Sequence, residues 1–270
     1  VSCEPARPLE KRRGSEFLIF GNPVSHSKSP LMHNSFFKKE KINACYTRFL
    51  LTDGEEIVKK FKELKIKGAN VTVPHKEWAY KLADEVRGKA KEIGAVNTLV
   101  EEEGKIVGYN TDAEGFLEVI KDFKFKKVLI IGAGGTARAL SYVLPDAHIL
   151  NRSENRLEFF QKKGKVTFTW KNFKNFDYDL IINTTSAGLN ENILPAPAQI
   201  IEKLFLNAEY AVDVIYGKVT PFLKLAQKYN LITKSGIDML VFQGVLAMEY
   251  FLGRKLNRKE VVKIYFEILK

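Results

Sequence analysis

The chain has 270 residues, 45% of them hydrophobic and 28% charged, with a formal net charge of +11. These values belong to a folded protein rather than a disordered or fibrous one, and the length suggests about two domains. No apolar run approaches the roughly 18 to 20 residues that span a bilayer, so no membrane partner is expected.

The positive charge raises the question of nucleic acid, but the lysines lie along helical faces, as in IVKKFKELKIK and VRGKAKE. With no arginine-rich or aromatic-interleaved block, solvated faces are expected and nucleic acid is not. A positive field instead favours a polyanionic cofactor and an acidic substrate. Cys3 and Cys45 make no C-x-x-C or metal-ligand spacing and are too few for a disulfide framework, so a reducing, cytoplasmic setting is the default and no metal is expected.

Residues 1–16, VSCEPARPLEKRRGSE, lack a secretory apolar stretch, and GSEF from Gly14 has the look of a translated cloning site. They are expected to be a leader outside the fold. FLIF, from Phe17, then reads as a strand. Pro30, behind Ser29 as N-cap, opens a helix to about Lys41, and CYTRFLL is a strand again. GEEIVKKFKELK has helical spacing, GANVTV returns to strand, and helices are expected around residues 75 to 92. NTLVEEEGKIVGY reads as two strands joined by a turn at Glu103 and Gly104, followed by a helix from Asp112 to about Lys121. Further strands are expected at Val128 to Ile131, Ala147 to Leu150, Lys165 to Thr169, Leu180 to Asn183 and Ala211 to Ile215, with helices between them. Two last helices, Asp238 to Leu252 and Asn257 to Leu269, have no strand left to feed and are expected to pack back on the first domain. Such alternation predicts a doubly wound α/β protein with a parallel-dominated sheet. The expected division is a substrate domain of 17–113 with 238–270 and a Rossmann domain of 114–237, with a cleft between them that closes to exclude water.

The most informative stretch is VLIIGAGGTAR, residues 128 to 138. Gly132, Ala133, Gly134, Gly135, Thr136 and Ala137 follow the predicted strand and open the predicted helix, which is the context of the fingerprint G-x-G-x-x-G/A. Gly132 permits the tight turn, Gly134 lets the main chain approach a pyrophosphate, and amides at the helix N-terminus hold that anion. Ala137 is small enough for the helix to lie close on the sheet. Twenty residues after Gly132, where an NAD site places an acid for the ribose 2′-hydroxyl, stand Asn151, Arg152 and Ser153. An arginine there fits a 2′-phosphate, so NADP is the expected cofactor; a charge-assisted bond of roughly 1.5 to 3 kcal/mol gives about ten- to a hundredfold preference. Arg156 is either a second clamp or an exposed helix charge.

Four polar clusters lie at expected strand ends and turns, where open α/β sheets place ligand contacts: GNPVSHSKSP, NVTVPHK, GAVNT with GYNTD, and MLVFQG. Each residue has a plain structural alternative. Ser27 and Ser29 can cap a helix, as can Thr111 and Asp112; Lys76 can be an exposed first-turn lysine; Asn70 and Asn97 can satisfy turn backbones; Gln243 can be the polar side of a helix. The four histidines lack metal-ligand spacing.

Together with the glycine loop, these clusters resemble the shikimate dehydrogenase family over nearly all of residues 17 to 270. The motifs G-N-P-x-x-H-S-K-S-P, G-A-N-V-T-V-P-x-K, G-A-V-N-T, N-T-D, G-A-G-G, N-R-S/T-x-x-R, N-x-T-S-x-G and a Q-G helix occur in family order. The resemblance implies NADPH-dependent reduction of 3-dehydroshikimate to shikimate, on the route to chorismate and the aromatic amino acids. It implies that Ser27 and Ser29, helped by Tyr216, bind the substrate carboxylate. Asn70, Thr72, Asn97 and Gln243 would surround the ring hydroxyls, and Lys76 and Asp112 would form the catalytic pair. On the cofactor side it implies Gly132 to Thr136, the clamp from Asn151 to Arg156, the loop with Thr184 and Ser186, and Gly236. The chemistry asks for such a pair, because hydride delivered to a ketone leaves an alkoxide that needs a nearby cation or acid. The chain departs from the commoner pattern at His75 for Phe, Ser153 for Thr and Thr184 for Ala, and His75 is expected to tune the neighbouring acid. A broader quinate/shikimate dehydrogenase, or an idle homologue that binds NADP or shikimate, are the alternatives. A monomer or homodimer is expected.

Overall fold

The computed structural model describes residues 15–269. They pack as two compact units, one made of 15–111 with 241–269 and the other of 112–240.

The first unit follows the predicted alternation: β1 (Ser15–Gly21), α1 (Ser29–Lys39), β2 (Ala44–Leu50), α2 (Ile57–Glu63), β3 (Gly68–Val71), α3 (Lys76–Leu82), β4 (Glu85–Val86), α4 (Ala90–Ile93), β5 (Thr98–Glu102) and β6 (Lys105–Tyr109). The sheet order is β2-β1-β3-β5-β6-β4. β1 lies parallel between β2 and β3, and Phe17 to Phe20 are buried on both faces, which is why FLIF is apolar throughout. The sheet is mixed rather than uniformly parallel: β5 runs antiparallel to β3 and to β6. The β5–β6 turn takes φ of +51° at Glu103 and +80° at Gly104, the left-handed pair that a two-residue hairpin requires. β4 lies in a stretch expected to be helical; it exists because Glu85 and Val86 pair with β6, a partner no local pattern announces.

Two local expectations are corrected. Ser15 and Glu16 are not leader: they pair with Ala44 and Cys45 at the start of β1. The rest of the expected leader, residues 1–14, lies outside the described residues. Ser29 is not an N-cap. Lys28 holds that position without a side-chain bond, and the Ser29 amide instead donates to Ser27 Oγ at 3.3 Å.

The second unit contains α5 (Asp112–Ile120), β7 (Val128–Ile131), α6 (Gly135–Val143), β8 (His148–Asn151), α7 (Glu158–Gln161), β9 (Thr167–Thr169), β10 (Leu180–Asn183), α8 (Ala198–Phe205), β11 (Tyr210–Asp213), α9 (Pro221–Lys228) and β12 (Ile232–Lys234). All strands are parallel, in the order β12-β11-β10-β7-β8-β9. This is the doubly wound Rossmann order, with the reversal of winding at β7. Leu129, Ile131, Leu150 and Ile181 on the strands pack with Ile201, Leu204 and Phe222 on the helices. β12 was not anticipated: a three-residue, partly exposed edge strand carries no alternation long enough to read.

The chain returns to the first unit within α10 (Ile237–Leu252) and ends in α11 (Arg258–Leu269). α11 packs on α1, where the Tyr265 hydroxyl meets His33 Nδ1 at 2.8 Å. Among the described residues no helix is long and apolar enough to cross a membrane.

Candidate active site

The glycine turn sits at the carboxyl end of β7. Gly132 has a φ of +116°, and a Cβ there would meet Thr184 Oγ1 at 2.5 Å, so the fold itself demands glycine. Gly134 differs. Its φ is −93°, its ψ −173°, and a Cβ would meet no atom of the described residues within 4 Å. Nothing among the described residues needs glycine there, whereas a diphosphate laid across the backbone does. Gly134 is also the N-cap of α6 and offers no side chain to the helix amides that follow at Gly135 and Thr136. Ala133 and Ala137 are buried, the latter completely, as close packing of α6 on the sheet requires. The residues present therefore fit a dinucleotide.

At the end of β8, Asn151 Nδ2 donates to the Ser153 carbonyl at 2.8 Å, shaping the turn from which Arg152 and Arg156 extend into solvent. Thr184 is tied to β7 through its amide and hydroxyl, both donating to the Ile131 carbonyl at 2.9 and 2.8 Å, and Ser186 is exposed on the same loop. Gly236 has a reason internal to the fold: its Cβ would lie 2.0 Å from the Val214 carbonyl oxygen.

Tyr216 is half-buried on the loop after β11. That loop is bracketed by one buried carboxylate, since Asp213 accepts from the Ile215 amide at 3.0 Å and from Thr220 Oγ1 at 2.6 Å. Burial pushes the Asp213 carboxyl above its usual range, against the pull of these hydrogen bonds. Asp112, also buried, opens α5.

The substrate-type residues of the first unit form a buried network. Asn97 Oδ1 accepts from the Thr111 amide at 2.8 Å and from Thr98 Oγ1 at 3.1 Å, while its Nδ2 donates to Thr111 Oγ1 at 2.9 Å. Gln243 Oε1, on α10, closes the network at 3.5 Å from Asn97 Nδ2 and 3.4 Å from Thr111 Oγ1. Asn70 Nδ2 reaches the Asn97 carbonyl at 3.3 Å and Thr98 Oγ1 at 3.2 Å. Lys76, only 9% exposed, stands at the first position of α3, and its carbonyl accepts from the amide of Val96, next to Asn97. Thr72 is anchored by its amide to the Phe20 carbonyl at 2.9 Å. Ser27 and Ser29 are buried at the β1–α1 loop, where Arg48 donates to the Ser27 carbonyl from Nε at 2.9 Å and Nη2 at 2.5 Å. Asn70, Asn97, Gln243 and the lysine-bearing helix are thus brought together in the first unit; Tyr216, Asp112 and the glycine turn belong to the second.

His75 has another employment. Its Nε2 lies 2.7 Å from the Leu51 carbonyl and its ring packs against the position of Gly54, where a Cβ would come within 2.8 Å of Nδ1. It ties the start of α3 to the segment after β2.

Three contributors were not singled out from sequence, and a fourth, Thr111, was read only as a possible cap. Thr98 stood inside a quoted motif, so its signal was present. Tyr46 and Arg48 lay in CYTRFLL, read only as a strand; their partners Asn70 and Ser27 are on other elements, and no local pattern marks them.

A parallel sheet in doubly wound order, with a glycine turn and uncapped helix at its reversal point, defines a Rossmann-type dinucleotide-binding α/β protein. Residues 19–99 match the shikimate dehydrogenase substrate-binding domain. The NADP(+) shikimate dehydrogenase of Helicobacter hepaticus is 46% identical over 248 residues, covering 90% of this chain and 92% of that one. Crystal structures are similar over most of the length. Shikimate dehydrogenase 1 of Peptoclostridium difficile has a TM-score of 0.83 at 29% identity, covering 94% of this chain and 98% of the other. The Thermus thermophilus shikimate 5-dehydrogenase, solved with NADP(H) and shikimate, has a TM-score of 0.78 at 30% identity, covering 94% and 99%. The chain belongs to the shikimate dehydrogenase family.

Proposed function

We propose that the chain catalyses the reversible NADPH-dependent reduction of 3-dehydroshikimate to shikimate. The observation that carries this reading is the buried amide and hydroxyl network of Asn70, Asn97, Thr111 and Gln243 beside Lys76, a surface suited to a ring bearing several hydroxyls. In this reading residues 17–113 with 238–270 hold the substrate and 114–237 hold NADP.

Gly132 to Thr136 take the diphosphate, Asn151 to Arg156 the 2′-phosphate, and the loop with Thr184 and Ser186 lies beside the remainder; Gly236 supports that region. A dinucleotide held there would supply the hydride that the reduction of a ketone requires. Ser27 and Ser29 hydroxyls, with Tyr216, hold the carboxylate and so fix which face of the ring is presented. Asn70, Thr72, Asn97 and Gln243 hold the hydroxyls. Lys76 and Asp112 form the catalytic pair: one supplies the proton to the oxygen that becomes an alkoxide, and the other orients that hydroxyl. The enzyme works in the cytoplasm as a monomer or homodimer, without nucleic acid.

The test is an absorbance assay at the NADPH band, with shikimate or quinate, each with NADP or NAD. Reduction confined to shikimate with NADP is expected. Turnover of quinate would widen the activity, a higher kcat/KM with NAD would remove the Arg152 clamp, and silence in all four mixtures would leave a nucleotide-binding fold without this chemistry.

A further inference from the structure

We propose that Tyr46 is a positioning residue for substrate binding, acting through Asn70; the proposal rests on Asn70 being a substrate contact. A primary amide such as Asn70 can present either its oxygen or its nitrogen to a ligand, and the two choices have opposite hydrogen-bonding sense. One end is settled by the Asn97 carbonyl, which can only accept and lies 3.3 Å from Nδ2. Oδ1 then faces the Tyr46 hydroxyl, which donates to it at 2.6 Å. Together they leave Asn70 a single orientation.

Tyr46 is built to stay where it is. It is 1% exposed, in β2, two strands away from the Asn70 strand. The Asn34 side chain brackets its backbone, accepting from the Tyr46 amide and donating to its carbonyl, both at 2.8 Å. Its ring lies 4.6 Å from the ring of His33, which is itself joined to Tyr265 of α11. A phenylalanine would fill the same space, so the hydroxyl is the part that packing does not explain. That hydroxyl donates to a side chain of the candidate site.

Three variants, Tyr46→Phe, Asn70→Ala and the double variant, are compared by steady-state kinetics with shikimate and NADP. Shikimate affinity is also measured by titration calorimetry, which counts folded, binding-competent molecules. Loss of one hydrogen bond of this kind predicts that Tyr46→Phe raises the KM and Kd for shikimate about five- to tenfold, with the KM for NADP within about twofold of wild type. In the Asn70→Ala background the same change should add nothing, since its effect passes through the missing amide. A merely structural tyrosine would weaken both backgrounds by the same factor, and that result overturns the proposal. So does an unchanged shikimate affinity in Tyr46→Phe while Asn70→Ala is impaired. If Asn70→Ala itself binds shikimate normally, the substrate reading of Asn70 fails and the proposal falls with it, a failure distinguishable from the other two.

Discussion

The two halves of the candidate site are built on opposite plans. In the first unit the candidates are side chains, buried and bonded to one another, so that Asn70, Asn97, Thr111 and Gln243 hold their orientations before any ligand arrives. In the second unit the glycine turn offers backbone amides, and Arg152, Arg156 and Ser186 stand in solvent. The difference follows the ligands proposed for each. A small ring with several hydroxyls is distinguished only by donors and acceptors at set positions, whereas a diphosphate and a 2′-phosphate are recognised by charge and by close approach of the main chain.

The largest effects should come from removing the proposed catalytic pair, Lys76 of the first unit and Asp112 of the second. Lys76→Ala and Asp112→Asn are each expected to lower kcat about a hundred- to ten-thousandfold while NADPH binding, followed by fluorescence titration, persists. Near-normal turnover would remove that residue from the pair.

Within the second plan, two glycines of one turn should behave oppositely. Gly132→Ala places a side chain at positive φ against Thr184 and should destabilise folding by about 2 to 4 kcal/mol in urea melts. Gly134→Val meets no atom of the described residues at its Cβ and should leave the melt nearly unchanged, yet raise the KM for NADP at least about tenfold. Equal stability losses would sink the distinction. Arg152→Ala should raise the KM for NADP by about ten- to a hundredfold and leave that for shikimate alone, because it removes a charge-assisted bond to the cofactor only.

A smaller effect concerns the acid sensitivity of the first unit. Burial holds His33 neutral with its pKa lowered to about 3, so an unfolded chain takes up a proton below about 6.5 that the folded one refuses. Its contribution is complete above that value and is lost as pH falls toward 3, about 2 kcal/mol being gone by pH 5. Glu249 adds to the loss further down. Burial tends to raise its carboxyl, but Arg258, the Leu256 amide and Lys255 outweigh this and hold it at about 2, so its contribution fades as pH drops from about 4.5 toward 2. Both lie in the first unit. Urea melts of wild type and His33→Gln from pH 7 to pH 5 should show a shallower decline in the variant; parallel declines would mean His33 is not the group responsible.

Elements with a long local pattern were legible without coordinates. VLII and the glycine turn announced β7 and α6, Glu103 and Gly104 announced a hairpin, and the last two helices were expected on the first domain, where α11 does pack against α1. Those signals are local: a buried strand is apolar along its whole length, and positive φ selects particular residues. β4 and β12 were not legible, being strands of two and three residues that exist only because a partner strand lies alongside. The antiparallel insertion of β5 between β3 and β6 likewise depends on pairing rather than on any residue in β5.

By itself the sequence determined the α/β class, the family, the glycine turn and the residue types the chemistry needs, because each rests on order and spacing along the chain. Only the tertiary structure decided which of them act on one another. It brought Tyr46 to Asn70, Arg48 to the Ser27 carbonyl and Gln243 to Asn97, and it turned His75 toward Leu51. Hydrogen bonds from side chains to partners 21 to 146 residues away leave no trace in local periodicity, since either partner alone satisfies its own segment equally well in many other arrangements.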